Sequence, residues 1–465
     1  MKYIAAILLF FLAGCVHVMD NEQISVSYNL PNDFKNQNSI NSLNTNKKIL
    51  EYKDPITEMI HLLNDDEFKK LLEYAVKENR DLLILESKIR QAKYQTKGPL
   101  GTMLPRVSGS IDASKKEGTY SVNGSASFSW ELDIYGRLYT LYKSSKEQIK
   151  FAEENLVNGY VTLAADTAVY YFSMQKAYAQ YLYSLEMLNN YKNILDIYKE
   201  MRNTGLIDEE EFIKVTKDYL SAENNANKYS LEVEKNKNAL YVLLNSSDIN
   251  ISPVEYYSIE FKPNLPYISS IPSVVILNRP DVRKAVFTLN SELYKHYSRK
   301  MALFPSISVG GNIGNLLASP TGIGDFVWSI IGSITAPIFN RQELYANLKV
   351  QEESVKQAEL SLQNTINIAV SDIENASYAM DRSDKSLVNT RKILLNAENS
   401  FKILKSSWNN GIIDKIKYLR ARNDLLQSQI SYYSSWYDNI FSAVTLYKAF
   451  GGSFSPPEIN IKESR

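Results

Sequence analysis

Four short stretches alternate apolar and polar residues so regularly that few folds remain open to this chain. In the first pair, Val107, Gly109, Ile111 and Ala113 alternate with Ser108, Ser110, Asp112 and Ser114. After a turn at Glu117-Gly118, Tyr120, Val122, Gly124, Ala126, Phe128 and Trp130 alternate with Ser121, Asn123, Ser125, Ser127, Ser129 and Glu131. In the second pair, Ile307, Val309, Gly311 and Ile313 lead to a turn near Pro320-Thr321-Gly322, and Phe326, Trp328, Ile330, Gly332 and Ile334 follow. A period of two puts one kind of side chain on each face of a strand. Strands of about ten residues with one apolar face and one Ser/Asn/Gly face suit a transmembrane barrel with a wet interior. A soluble amphipathic sheet is the other structure the pattern allows. Tyr120, Trp130 and Trp328 stand where interfacial anchors are needed. Four strands cannot close a barrel, because spanning barrels need at least about eight and an open edge in lipid leaves backbone groups unpaired. Copies must therefore join. Two would supply eight strands and three would supply twelve, and the alternation does not choose between them.

The two strand pairs belong to a larger repetition at an offset of about 200 residues. Asn203-Thr204-Gly205-Leu206-Ile207-Asp208 returns as Asn409-Asn410-Gly411-Ile412-Ile413-Asp414, and Leu240-Tyr241 as Leu446-Tyr447. Leu104-Pro105 returns as Phe304-Pro305, Tyr135-Gly136-Arg137 as Phe339-Asn340-Arg341, and Asn79-Arg80-Asp81 as Asn278-Arg279-Pro280-Asp281. Landmarks recurring in one order point to an internal two-fold repeat.

Each strand pair is followed by a long stretch without helix breakers. No proline occurs between Pro105 and Pro253 or between Pro337 and Pro456, and Gly159 is the one glycine from Arg137 to Asn203. Roughly 66 residues at 1.5 Å rise give helices on the order of 100 Å. A packing seam is expected along Val355, Ala358, Leu362, Ile366, Ala369, Ile373, Ala376 and Met380, and along Leu156, Tyr160, Leu163, Thr167, Tyr170 and Met174. Gly205 is placed to take a positive φ and end the first long helix, with Asp208 capping the return helix and Glu211 at the capping-box position. Gly411 and Asp414 repeat the arrangement, so both sites read as tight helix corners.

The N-terminus sets the compartment. Lys2 precedes an apolar run from Ile4 to Ala13, too short to span a bilayer, and Leu12-Ala13-Gly14-Cys15 follows. A Cys after small residues resembles a bacterial lipobox, whose thiol is lipidated and becomes the mature first residue. Cys15 is the only cysteine, so no disulfide forms within the chain. Beyond the leader no stretch approaches the roughly 20 apolar residues of a spanning helix. The 52 basic and 52 acidic side chains cancel and no long basic run appears, which argues against a nucleic-acid partner. His17, His61 and His296 lie far apart, and no phosphate-binding loop, nucleophile elbow or cysteine pair is present. No catalytic, cofactor-binding or metal-ligating set is expected. Tyrosine, at 32 residues against 17 Phe and 4 Trp, suits packed walls that also meet water.

Taken in order, the lipobox at Cys15, Asn79-Arg80-Asp81-Leu82, Leu104-Pro105, Trp130 to Arg137, Ala336-Pro337-Ile338-Phe339 and Leu446 to Gly452 resemble the TolC-like outer-membrane efflux proteins, in their lipidated OprM/CusC-type branch. The resemblance covers essentially the whole chain. It implies an α+β membrane protein whose four strands join a trimeric, twelve-stranded transmembrane barrel continuous with a long helical barrel in the periplasm. It implies a signal peptide over 1–14, a lipidated arm and equatorial segment over 15–64, and a first repeat over 65–245. That repeat would hold a helix, a hairpin at 106–135, a long helix at 137–203 and a return helix at 208–245. An equatorial linker over 246–275 would lead to a second repeat over 276–451, with a hairpin at 305–339, a long helix at 341–410 and a return helix at 414–450. A tail over 452–465 would complete the equatorial belt. The implied function is the exit duct of a tripartite efflux pump in the outer membrane, without an enzymatic step or cofactor. Its partners would be a periplasmic adaptor, an inner-membrane resistance–nodulation–division transporter, outer-membrane lipid and two further copies of the chain. The outer-membrane element of a type I protein secretion system and a lipid-anchored structural coiled coil are the rivals. The implied adaptor-docking corners hold Gly205, Leu206, Asp208, Gly411, Ile412 and Asp414. In the TolC pattern, acidic residues six and nine positions after the second glycine line the closed aperture; here Lys417 and Arg420 stand there, with Glu211 at the matching offset from Gly205 as a partner for Lys417. A local change of register would instead leave both cations on a solvated face.

Overall fold

The computed structural model describes residues 54–116, 119–246, 263, 272–318, 327–337 and 340–454. Cys15, His17, both hairpin turns and most of the segments 15–64, 246–275 and 452–465 lie outside the described residues. In chain order the elements are α1 (Pro55–Leu63), α2 (Asp66–Glu78), α3 (Arg80–Thr102), β1 (Arg106–Lys116), β2 (Thr119–Leu132), α4 (Arg137–Asn203) and α5 (Glu209–Leu244). They continue with α6 (Pro272–Asn278), α7 (Pro280–Met301), β3 (Ser306–Ala318), β4 (Val327–Thr335), α8 (Arg341–Asn409) and α9 (Lys415–Ala449). From α2 to α5 and from α6 to α9 the same order of elements recurs.

The long helices follow the breaker-free stretches, with 67 residues in α4 and 69 in α8. The helical stretch ahead of each hairpin is not continuous, however. Asn79 adopts an extended backbone between α2 and α3, and its carboxamide accepts from the Leu82 N–H at 3.1 Å while donating to the Leu243 carbonyl at 2.9 Å. In the second half Pro280 disfavours a helical conformation at Arg279, which separates α6 from α7.

The chain divides into two compact units. The first comprises Leu85–Asn155 and Asp281–Ile366. Its sheet is antiparallel in the order β1-β2-β3-β4. The register puts like opposite like: Val107 faces Phe128 and Ile111 faces Gly124, while Ser108 faces Ser127 and Ser114 faces Ser121. Hydroxyls bridge the strands at Ser108–Ser127 (2.8 Å), Ser110–Ser125 (2.9 Å), Ser114–Ser121 (3.0 Å) and Ser308–Ser333 (2.7 Å). On the other face Ile111, Trp328 and Ile334 are 76%, 71% and 74% exposed, so among the described residues no layer covers it. The polar face departs from expectation on β4, which places Val327 and Ile331 there. Both stand opposite glycines of β3, Gly314 and Gly310. Between the flanking helices, Ser144 and Ser291 share a hydrogen bond of 2.9 Å and Arg283 pairs with Glu154 at 2.7 Å. Burial pushes the Glu154 carboxyl up, and the guanidinium pulls it only part of the way back.

The second unit comprises the described parts of Leu30–Ile84, Leu156–Pro280 and Asn367–Arg465. Its core gathers Met59, Leu63, Phe68 and Leu72 with Phe172 and Tyr437. Here the seam of α8 buries Ala369, Ile373, Ala376 and Met380; its earlier part in the first unit buries Ala358, Leu362 and Ile366, with Val355 half-buried. That of α4 is broader than the expected stripe: Leu156, Tyr160 and Tyr170 are only half-buried, whereas Ala164, Ala165 and Ala168 are fully packed. Arg279 is buried and ties the end of the unit together, donating to the Ala449 carbonyl at 2.7 Å and to Asp372 at 3.1 Å.

Candidate functional site: the helix corners

Both corners are built by the same backbone chemistry. At the end of α4, Gly205 has φ +74°, its N–H donates to the Arg202 carbonyl at 3.0 Å and the Leu206 N–H donates to the Met201 carbonyl at 2.9 Å. At the end of α8, Gly411 has φ +70°, and the N–H groups of Gly411 and Ile412 donate to Trp408 (2.9 Å) and Ser407 (2.8 Å). These are paired 5→2 and 6→1 bonds, which satisfy carbonyls a helix end otherwise leaves open. The return helices start on aspartates: Asp208 accepts from the Glu211 N–H at 2.9 Å and Asp414 from the Lys417 N–H at 2.7 Å. Glu211 thus supplies its N–H to the cap, and no hydrogen bond from Asp208 back to its carboxylate is present.

The residue after such a glycine ordinarily folds back onto the helix. Here Leu206 and Ile412 are 72% and 73% exposed, each presenting an aliphatic side chain to solvent at the apex of its corner. Behind them the corners are braced. Arg202 pairs with Glu209 at 2.8 Å and lies 4.6 Å from the Phe212 ring centre. Trp408 and Phe401 each pack on Tyr418 at 5.7 Å between ring centres.

The two corners carry opposite charge. Asp208 is followed by Glu209, Glu210 and Glu211, whereas Asp414 is followed by Lys415, Lys417 and Arg420. Glu211, Lys417 and Arg420 are all exposed. Arg420 reaches the Tyr198 hydroxyl of α4 at 3.5 Å, and no ion pair joins Glu211 to Lys417 within the chain. Sequence reasoning missed a series of polar contacts between α4 and α9 that starts at this tip. Asn190 donates to Asn423 at 2.8 Å, Arg422 holds Glu186 through two bonds of 2.6 and 2.9 Å, and Lys176 pairs with Asp438 at 2.7 Å. Only the antiparallel packing of these two helices brings the partners together, and no local pattern signals it. Among the described residues no helix is long and apolar enough to cross a membrane, and no three His, Cys, Asp or Glu side chains gather as metal ligands.

Comparison with known proteins matches residues 71–246 and 271–452 to the model of the family described as outer membrane efflux protein. The chain is 23% identical to the probable outer membrane lipoprotein SilC of Salmonella typhimurium, over 98% of this chain and 99% of that one. It is 24% identical to the cation efflux system protein CusC of Escherichia coli K12, over 83% of this chain and 87% of that one. Among solved structures, the Campylobacter jejuni CmeC outer membrane channel superposes with a TM-score of 0.77 at 23% identity, covering 94% of this chain and 95% of that one.

Proposed function

The chain belongs to the outer membrane efflux protein family, and from that premise we propose that it is the exit duct of a tripartite efflux pump, set in the outer membrane and extending into the periplasm. The observation that carries the reading is the sheet. Among the described residues no protein layer covers its apolar face, and its other face carries hydroxyls and amides, which a barrel between lipid and water requires. Three copies, each giving four strands and a repeated pair of long helices, complete a twelve-stranded barrel and a helical tunnel. Cys15 carries the lipid anchor, and the resident chemistry is passage rather than catalysis. The corners at Gly205, Leu206, Asp208, Gly411, Ile412 and Asp414 meet the periplasmic adaptor, and the exposed side chains of Leu206 and Ile412 supply apolar surface for that contact to bury. Their opposite charges favour an acidic corner of one hairpin beside a basic corner of the next, with Glu211 against Lys417. The energy and the choice of substrate belong to an inner-membrane transporter of the resistance–nodulation–division class. Planar-bilayer conductance of the purified full chain tests the duct directly. Currents that appear when the tips are loosened, as by Arg420→Ala, support it; a protein that inserts but never conducts would instead be a structural element.

A further inference from the structure

Charge is unevenly placed although the totals balance at 52 and 52. Between Glu86 and Asp112 no acidic residue occurs, yet Lys88, Arg90, Lys93, Lys97 and Arg106 fall there. Between Glu292 and Asp325 the same holds, with Lys295, Arg299 and Lys300. Each acid-free stretch is a helix running into a strand pair, α3 into β1 and α7 into β3. Both belong to the unit that holds the sheet, at the end where α3, α4, α7 and α8 join it.

The placement on the helix is equally ordered. On α3 the buried side carries Ala92 and Thr96, whose hydroxyl donates to the Ala92 and Ser145 carbonyls. Lys93, Lys97 and Leu100, spaced by four and three, share an exposed face, and Leu104 beyond the helix is 59% exposed. Gln91, Gln95 and Thr102 share a different face, with Lys88 as its one cation. Lys93, Lys97, Lys146, Arg299 and Lys300 are all exposed, and none has a carboxylate partner among the described residues. In the strand-proximal turns a lysine lies over a tyrosine one turn away four times: Lys97 over Tyr94 (4.8 Å), Lys143 over Tyr139 (5.0 Å), Lys146 over Tyr142 (4.8 Å) and Lys349 over Tyr345 (5.4 Å).

Tyrosine beside lysine suits a lipid–water boundary, where the ring and the aliphatic stem rest in the headgroup layer and the ammonium reaches phosphate. The heights agree. At 1.5 Å per residue Lys300 is about 2 Å and Lys97 about 8 Å from the strand-side ends of their helices, and Lys146 about 14 Å into α4. A headgroup layer of roughly 5–8 Å and a screening length of about 8 Å cover that range. Arg106 opens the polar face of β1 and stands apart from this set.

We propose that Lys93, Lys97, Lys146, Arg299 and Lys300 form a cationic collar beneath the sheet that binds the phosphates of anionic phospholipids in the leaflet facing the helices, and so fixes the depth at which the strands sit. The proposal rests on the reading that the apolar strand face meets lipid. An acidic protein partner would use the same charges; the lysine–tyrosine pairs repeated at headgroup height on α3, α4 and α8 favour lipid phosphate.

The test uses the full-length protein, Lys93→Gln/Lys97→Gln/Lys300→Gln, and the charge-preserving Lys93→Arg/Lys97→Arg/Lys300→Arg. Each is reconstituted in phosphatidylethanolamine bilayers with and without phosphatidylglycerol, and the retained lipid is counted by native mass spectrometry after extraction. Three cations at an anionic surface lead us to expect more than about tenfold lower phosphatidylglycerol retention in the glutamine variant, near-complete recovery in the arginine variant, and loss in high salt. Equal retention in all three proteins overturns the collar. So does unchanged retention with loss of adaptor capture in the glutamine variant, which assigns the charges to a protein interface. Wild-type protein that fails to insert in either bilayer removes the duct reading and the collar together; insertion and conductance with equal retention removes the collar alone.

Discussion

Gly411 separates two roles that a helix corner can play. Its φ of +70° costs a side-chain-bearing residue about 1–2 kcal/mol in backbone strain. A Cβ added at Gly411 meets nothing within 4 Å, so Gly411→Ala costs that strain and no steric clash within the chain. A loss of this size at the junction of helices of 69 and 35 residues leaves the assembly intact. Asparagine is the control, because this chain already places Asn64 (φ 43°) and Asn245 (φ 51°) in the left-handed region at helix ends. Gly411→Asn therefore keeps the corner, Gly411→Ala strains it, and Gly411→Trp fills the empty space before it. If the corner is an adaptor contact, resistance conferred by the pump falls steeply with Trp and partly with Asn, while oligomer levels on unheated gels stay at wild type. Gly205, with φ +74° and equally open surroundings, behaves the same way. Normal drug resistance in a Gly411→Trp strain at normal protein level would refute the docking role. Full activity with Asn and loss with Ala would reduce the glycine to a turn requirement.

Cys15→Ala abolishes lipidation, as read by metabolic labelling, yet leaves an oligomer able to insert, since the strands bury far more apolar surface than one anchor; recovery only as a soluble periplasmic monomer would contradict this. Lys417→Asp/Arg420→Asp shifts reversal potentials in asymmetric salt toward cation selectivity, and an unchanged potential places both residues away from the aperture. Gly311→Ala destabilises the sheet by about 1–3 kcal/mol, because its Cβ would lie 2.7 Å from the Ser329 carbonyl oxygen and would collide with the edge of the Phe128 ring, whereas Gly310→Ala, with 3.4 Å to its nearest neighbour, is tolerated; equal melting temperatures for the two variants would show that the register is wrong. The raised carboxyl of Glu154 binds its proton more readily folded than unfolded, so this group's contribution improves as pH falls through its folded pKa toward the ordinary value of 4.5 and is flat below that. Glu154→Gln removes the dependence, and parallel melting curves of both proteins from neutral pH down to about 4.5 would exclude it.

The corners were legible because they depend on residues adjacent in the chain: a glycine for positive φ and an aspartate three positions later for the cap. Strand faces were legible for the same reason, down to the serine pairs, except on β4, where Val327 and Ile331 fall on the polar face. Contacts made between distant segments were not. Glu186 with Arg422 and Asn190 with Asn423 read as ordinary solvated helix positions, and only the pairing of α4 with α9 reveals them. Asn79 looked like a motif landmark, and its work as a helix break that also reaches the Leu243 carbonyl needed the fold. Leu206 and Ile412 were expected at the corners, but their exposure runs against the usual closing contact of such a turn and could not be inferred from spacing.

Set in a membrane, a four-stranded sheet of this kind requires more than one copy of the chain. In an antiparallel strand the N–H and C=O of alternate residues point to the same side, so an edge strand leaves about half its residues without partners. β1 and β4 are the two edges, with 11 and 9 residues. Together they expose roughly 20 unpaired backbone groups. In water such an edge costs little. In hydrocarbon each unpaired group costs several kcal/mol, and 20 of them outweigh what one four-stranded sheet gains by burying its apolar face. Bulges, charges and prolines are the usual protections of an exposed edge, and β1 and β4 have neither a proline nor a bulge against their neighbours. The register shift among the described strands lies inside the sheet, between Val122 and Asn123 of β2, where β3 carries the extra residue, and it leaves both edges regular. Regular edges beside an uncovered apolar face are compatible with a membrane only when β4 of one copy pairs with β1 of the next until the ring closes.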